Sequence, residues 1–292
     1  MLKHRLSFIL VYPFLWFFNI FARISLKLLP PFLYVFLFYV IGYRKKVVHQ
    51  NLERCFSGSI NLKNTIKQYY KHLARLIIEP LLTAGLGKKH LSSRVHVQSD
   101  LTNKLYAEGK SVFIVMGHCG NWEWLSTVAP LKSPFKPSIV YKKMSNPFFE
   151  RYINKARGKY GTDCIEMMQV GRYVMGKLKA KQQFVMSFVA DQIPSHENCS
   201  IVDFFDQSHY FFNGYCKLAV KGDLAIVYFK STVKDGIYNY EPILLKDAHE
   251  VINQDDLVQK FAKCLEINIK EQPFNWLWSH RRWKKMPKNT IR

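Results

Sequence analysis

The chain opens on two apolar runs. Residues 6–22 contain 17 positions without a charge, with Lys3, His4 and Arg5 before them and Arg23 and Lys27 after. A second run covers residues 28–41 and is broken early by Pro30-Pro31. A spanning helix needs about 20 apolar residues, so the first run is borderline and the second is short. No small-residue cleavage site follows the first, which argues against a removed signal peptide. An uncleaved anchor is the better reading, crossing once or dipping into one leaflet as a hairpin. Tyr12, Trp16, Tyr34 and Tyr39 suit the headgroup level. Residues 43–90 then read as a helical lead-in. Val47, Val48, Leu52 and Phe56 recur at helical spacing, and residues 64–82 form a second helix with Ile66, Tyr69, Tyr70, Leu73, Leu76, Ile77 and Leu81 on its apolar stripe.

Beyond residue 90 the period shortens. Residues 111–116, 138–141, 184–190, 224–229 and 237–242 read as strands. Helices separate most of them, notably over 147–159, 213–221 and 255–271. This alternation predicts an α/β fold: a single catalytic domain with a largely parallel central sheet flanked by helices. The organisation is then an anchor over 1–42 and a catalytic domain over 43–292, with no internal repeat.

Composition adds one strong bias. Lys plus Arg number 43 against 21 Asp plus Glu, a formal charge of +22. Such a surplus calls for a polyanionic partner: nucleic acid, an anionic membrane face, an acidic protein or a phosphorylated lipid. No nucleic-acid reading motif is present. The six cysteines, at 55, 119, 164, 199, 216 and 264, form no close clip, so a structural zinc site is not expected, and a reduced, cytosol-facing body is the simplest reading.

Chemistry concentrates after the first strand of the α/β region. Residues 117–123 read Gly-His-Cys-Gly-Asn-Trp-Glu. In an open α/β sheet, functional groups gather at the carboxyl ends of the strands. His118 would sit on the strand-to-helix loop and Glu123 in the first helical turn. A neutral imidazole takes a proton from a hydroxyl while a carboxylate holds its other nitrogen. The spacing alone decides little: the same pair also fits a core histidine bonded to Glu123 at a helix start. Cys119 is a rival nucleophile, but neighbours on an extended segment point to opposite faces. His196, His209 and His249 look like isolated histidines of polar loops.

The stretch from Gly117 to Glu123 resembles the His-x4-acid motif of the glycerolipid acyltransferase superfamily. In its Gly-His-x-Gly-Asn-Trp-Glu form it is similar to the bacterial late, or secondary, lipid A acyltransferases. Other blocks follow in order: Val48 to Phe56, Tyr141 through Asn146-Pro147 to Arg157, Asp191-Gln192, and Trp278 to Lys284. The resemblance implies an inner-membrane enzyme with its catalytic domain facing the cytoplasm, moving an acyl chain from acyl carrier protein to a hydroxyl of an anionic, phosphorylated glycolipid. It implies His118 as general base with Glu123 as partner, no metal and no tightly held cofactor, and direct attack on the thioester. Asn121 would bind donor or oxyanion, or cap the helix that follows. Arg157 would meet a phosphate or the thioester oxygen, or belong to a solvated basic face. Asp191 and Gln192 would shape the acceptor site or merely turn the chain. Arg281 and Arg282 would meet phosphates or form a surface run.

The sequence departs from the family pattern at several points. Cys119 stands where an aromatic is usual, Lys142-Lys143 where Arg-Pro is expected, Asp206 where Gly is usual, and Phe211-Phe212 where a Thr is common. These bear on the acceptor, since homologues also acylate aminolipids, other glycolipids or aromatic polyene pigments.

Overall fold

Strand formation at residues 112–116 follows from burial on both faces. All five side chains are buried, and they alternate: Phe113 and Val115 enter one core, while Val112, Ile114 and Met116 enter the other. In the computed structural model, which describes residues 2–192 and 199–284, this strand lies near the middle of a seven-stranded sheet.

The first half of the chain gives α1 (Leu2–Ile20), α2 (Ala22–Val35), α3 (Lys45–Phe56), α4 (Leu62–Leu82), α5 (Lys88–Ser92), β1 (Val95–Val97), α6 (Asp100–Ala107), β2 (Val112–Met116), α7 (Trp122–Val128), β3 (Pro137–Tyr141) and α8 (Pro147–Arg157). The second half gives β4 (Asp163–Glu166), α9 (Val170–Lys179), β5 (Val185–Val189), β6 (Cys199–Asp203), β7 (Ser208–Phe212), α10 (Gly214–Gly222), β8 (Ala225–Lys234), β9 (Ile237–Lys246) and α11 (Gln254–Glu271). The large sheet runs β1-β9-β8-β2-β5-β3-β4. Every neighbouring pair in it is parallel except β8 and β9, which form an antiparallel hairpin. The fold is therefore mixed α/β around a mostly parallel sheet, with all five expected strands in it.

Four strands were not foreseen. β1 and β4 are three and four residues long, too short to show a period. β6 and β7 pair only with each other, and their tight turn places Phe205 and Asp206 at φ of 52° and 55°. That left-handed geometry is ordinarily announced by Asn-Gly or Asp-Gly, and Phe-Asp hides it. Within this hairpin His209 is fully buried, among Phe204, Phe211 and Trp283, and is not a loop residue. His249 is exposed, and His196 lies outside the described residues.

The N-terminal runs are helical, and the prolines do not break the second. α2 passes through Pro30 and Pro31 and continues as a π-helix over Phe36–Val40. Among the described residues, Ala22–Val40 is the one helix long and apolar enough to cross a membrane, and only 17% of its apolar window is buried. Pro residues remove two helical donors, a defect that membrane helices tolerate.

α1 is clamped to the domain behind it. Asn19, at its end, accepts a bond from Gly85 N (2.7 Å), and its amide nitrogen reaches Leu81 O (2.9 Å) and Tyr152 Oη (3.0 Å). The backbones touch here: a Cβ on Gly85 would lie 2.0 Å from Asn19 O. At the other end Phe8 packs on Phe148 and Phe149 of α8. Leu10, Phe14, Trp16, Leu28, Phe32 and Val40 are exposed, leaving a broad apolar face. Contiguous patches of that kind mark interaction surfaces.

Candidate active site

The parallel register sets the site. Met116 of β2 pairs with Val189 of β5, and Ala190 N extends the ladder by donating to Met116 O (2.9 Å). Two residues past that rung, the chains leave the sheet together, so His118 stands beside Asp191. His118 Nδ1 lies 2.5 Å from Asp191 Oδ1, and His118 N donates to Asp191 Oδ2 (3.0 Å). Trp276 Nε1 donates to the same Oδ2 (2.7 Å). Burial alone would raise the Asp191 carboxyl. The His118 contacts and the charge of Arg282 outweigh it and hold the group well below the usual carboxylate range. Asp191 is therefore a fixed acceptor, and His118 carries its proton on Nδ1 with the Nε2 lone pair outward. Gln192 Nε2 lies 3.2 Å from that lone pair, in the position from which a substrate hydroxyl would donate.

This corrects the pairing expected from the motif. Among the described residues no hydrogen bond joins His118 to Glu123. Glu123 is gripped by Arg157, with Nε to Oε2 and Nη2 to Oε1 both at 2.6 Å. The reason is directional. The face of α7 that carries Glu123 also carries Thr127, whose hydroxyl lies within reach of Ala156 O on α8 (3.3 Å). That face is turned toward α8, whereas His118 turns toward β5. The ring of Trp122 stands edge-on to the imidazole, with centroids 4.8 Å apart. Burial would lower the Arg157 guanidinium, but Glu123 prevails and raises it. Its remaining nitrogen, Nη1, bonds Asn154 Oδ1 (2.9 Å). Each Arg157 nitrogen thus makes one bond in a clamp between α7 and α8, which leaves two of its five N–H groups for the phosphate or thioester contact expected of it.

Asn121 is likewise engaged. Its Oδ1 caps α7 by accepting from Trp124 N (2.9 Å), and its amide donates to Glu79 Oε2 (2.5 Å). Glu79 is buried, also accepts from Tyr238 Oη (2.7 Å), and has its carboxyl pushed up by burial. Of the two expected readings of Asn121, capping is the one found. Gly120 has φ of 64°, and a Cβ there would lie 2.0 Å from Ser231 Oγ, so only glycine fits the loop. Its N–H donates to Asn275 Oδ1 (2.9 Å).

The cavity over His118 is lined by Asp191, Gln192, Trp276, Leu277, His280 and Arg282. Four of these come from the C-terminal segment, which is laced into place. Asn51 of α3 donates to Trp278 O and His280 O, Arg44 to Ser279 O, and Ser279 N to Tyr69 Oη. The two arginines expected at phosphates therefore part company: Arg281 is exposed and Arg282 is 2% exposed inside the cavity. Sequence reading missed Trp276 and Asn275 as supports of the His118 loop. No local signal links them to residues 118–120, about 155 positions away.

Cys119 is buried in the core, in an isolated bridge to Trp276, and burial raises its thiol well above the ordinary value. A nucleophilic cysteine needs the reverse. Cys119→Ala is expected to keep turnover within about threefold of wild type, since loss of one small buried side chain costs stability before chemistry. An acyl-enzyme that vanishes in this variant would contradict the assignment.

The arrangement can take a proton from a hydroxyl at His118 Nε2 and return it to a leaving group, the general-base chemistry of acyl transfer. Among curated proteins no similar sequence is found. The family description "bacterial lipid A biosynthesis acyltransferase" matches residues 2–285, nearly the whole chain, and the protein belongs to that family of acyltransferases.

Proposed function

We propose that this chain transfers a fatty acyl group from acyl carrier protein to a hydroxyl of a phosphorylated lipid A precursor, at the cytoplasmic face of the inner membrane. The observation that carries this reading is the His118–Asp191 pair at adjoining strand ends, opening into a cavity in a chain that also presents an unpartnered apolar face. Asp191 accepts the Nδ1 proton, so Nε2 is left basic. The acceptor hydroxyl displaces the Gln192 amide, gives its proton to Nε2 and attacks the thioester directly. The leaving thiolate recovers that proton from the imidazolium. The charge of +22 favours an acidic carrier protein and a phosphorylated acceptor through long-range attraction. The apolar face of α1 and α2 would hold the cavity near the headgroups, where the acceptor keeps its existing chains in the bilayer.

The test is reconstitution of the purified full chain in detergent with acyl-loaded carrier protein and a phosphorylated lipid A precursor, read by mass spectrometry. The expected product is the acceptor plus one ester-linked acyl chain. A parallel reaction with acyl-coenzyme A identifies the donor. Unchanged acceptor in both, with acyl groups appearing instead on another membrane lipid, would overturn the choice of acceptor.

A further inference from the structure

We propose that Arg282 binds the oxyanion that develops on the thioester carbonyl, an inference that rests on the acyl-transfer reading above. Arg282 lines the same cavity as His118 and is almost wholly removed from solvent. Among the described residues, two of its nitrogens, Nε and Nη2, have no hydrogen-bond partner. A buried cation with unsatisfied donors is costly, so its retention needs a cause. What surrounds it supplies charge compensation without hydrogen bonds. The guanidinium carbon lies 4.3 Å from the ring centre of Phe211, 5.1 Å from that of Phe204 and 5.5 Å from that of Trp276. Burial lowers its pKa to about 10, with the Asp191 carboxylate opposing, so it stays charged near neutrality. The aromatic cradle fixes the fork beside the cavity that Arg282 lines, with two of its N–H-bearing nitrogens unpaired among the described residues.

The other donors around His118 are already committed. His118 N is held by Asp191, Gly120 N by Asn275 and the Asn121 amide by Glu79, while Arg157 lines a separate cavity with Glu123. Two other polar side chains line the cavity: Gln192, a neutral amide lying against His118 Nε2, and His280, whose pKa is lowered by burial and then by Arg282. Arg282 is thus the charged donor in this cavity with unsatisfied N–H groups.

In the step this serves, the acceptor oxygen forms a bond to the carbonyl carbon as its proton passes to His118 Nε2. The carbonyl π pair moves onto oxygen, where Arg282 N–H groups receive it. When the pair returns, the C–S bond breaks and the thiolate takes the proton from His118, leaving an ester and a free thiol. Donors placed for charge that appears only in the transition state act on kcat and not on ground-state binding.

The experiment measures kcat and both Michaelis constants for wild type, Arg282→Met and Arg282→Lys, with thermal midpoints as a check on folding. Arg282→Met is expected to lose about 10²–10³-fold in kcat, with KM for donor and acceptor within about threefold. Arg282→Lys, a point charge without the fork, is expected to fall about tenfold below wild type. A kcat within twofold of wild type in either variant would overturn the proposal. So would a raised KM for the phosphorylated acceptor with kcat preserved, which would make Arg282 a phosphate ligand. If Arg282→Met does not fold, Arg282→Lys decides by the same criteria. Failure of the acyl-transfer reading is distinguishable, because wild type itself would then transfer nothing.

Discussion

Asp191→Asn lowers kcat by about 10⁴-fold, close to the loss in His118→Ala, while leaving the fold intact. The size follows from which atoms need an acceptor. Both His118 N and Trp276 Nε1 donate to Oδ2, so the amide oxygen of an asparagine must occupy that position. Its NH2 group then faces His118 Nδ1, where the carboxylate had accepted. An imidazole meeting a donor at Nδ1 carries its proton on Nε2, and that tautomer cannot take a proton from a hydroxyl. Steady-state turnover with a thermal midpoint near wild type is the measurement. Activity within tenfold of wild type would return the orienting role to another group.

Glu123 gives the second large effect, through a different route. Glu123→Gln leaves the half-buried Arg157 guanidinium without its counter-charge, and Arg157→Met does the converse. Each is expected to cost about 10²-fold in kcat, because breaking a buried pair destabilises by several kcal/mol and loosens α7, whose first turn follows the His118 loop. A double-mutant cycle separates the two accounts of the motif. Glu123→Gln with Arg157→Met should be no worse than either alone, whereas Glu123→Gln with Asp191→Asn should approach additivity. The opposite pattern would restore a direct His118–Glu123 partnership.

The history of that pair marks where sequence reading stops. The strand over 112–116, the loop glycines and the helix from Trp122 were legible from apolar runs and breakers. His118 was placed correctly at a strand end. Its partner was not, because five residues along the chain looks nearer than 73. What brings Asp191 in is the adjacency of β2 and β5 and the register Met116↔Val189, and strand order in a parallel sheet leaves no local trace. Asp191-Gln192 was visible as a strand-ending block, so the residues were in hand and only their juxtaposition was missing. The C-terminal arginines show the same limit. Adjacent in sequence, Arg281 and Arg282 face solvent and cavity respectively, and no periodicity distinguishes them. The Phe205-Asp206 turn was hidden for a separate reason: its residues are poor matches to the conformation they adopt.

The clamp at Asn19 turns the first helix from a tether into a gauge. A domain on a slack leash samples many heights above a bilayer, and its reach is set by leash length. Here the amide of Asn19 and the bare Gly85 backbone weld α1 to α4, with Phe8 pinned at the far end. With the apolar face lying in lipid as proposed, the tilt of that helix would be the tilt of the whole enzyme, and the elevation of His118 would be fixed to within the stiffness of a folded core. Hydroxyls would be sorted by depth: those at the right altitude meet the base, and those an ångström-scale step higher or lower do not.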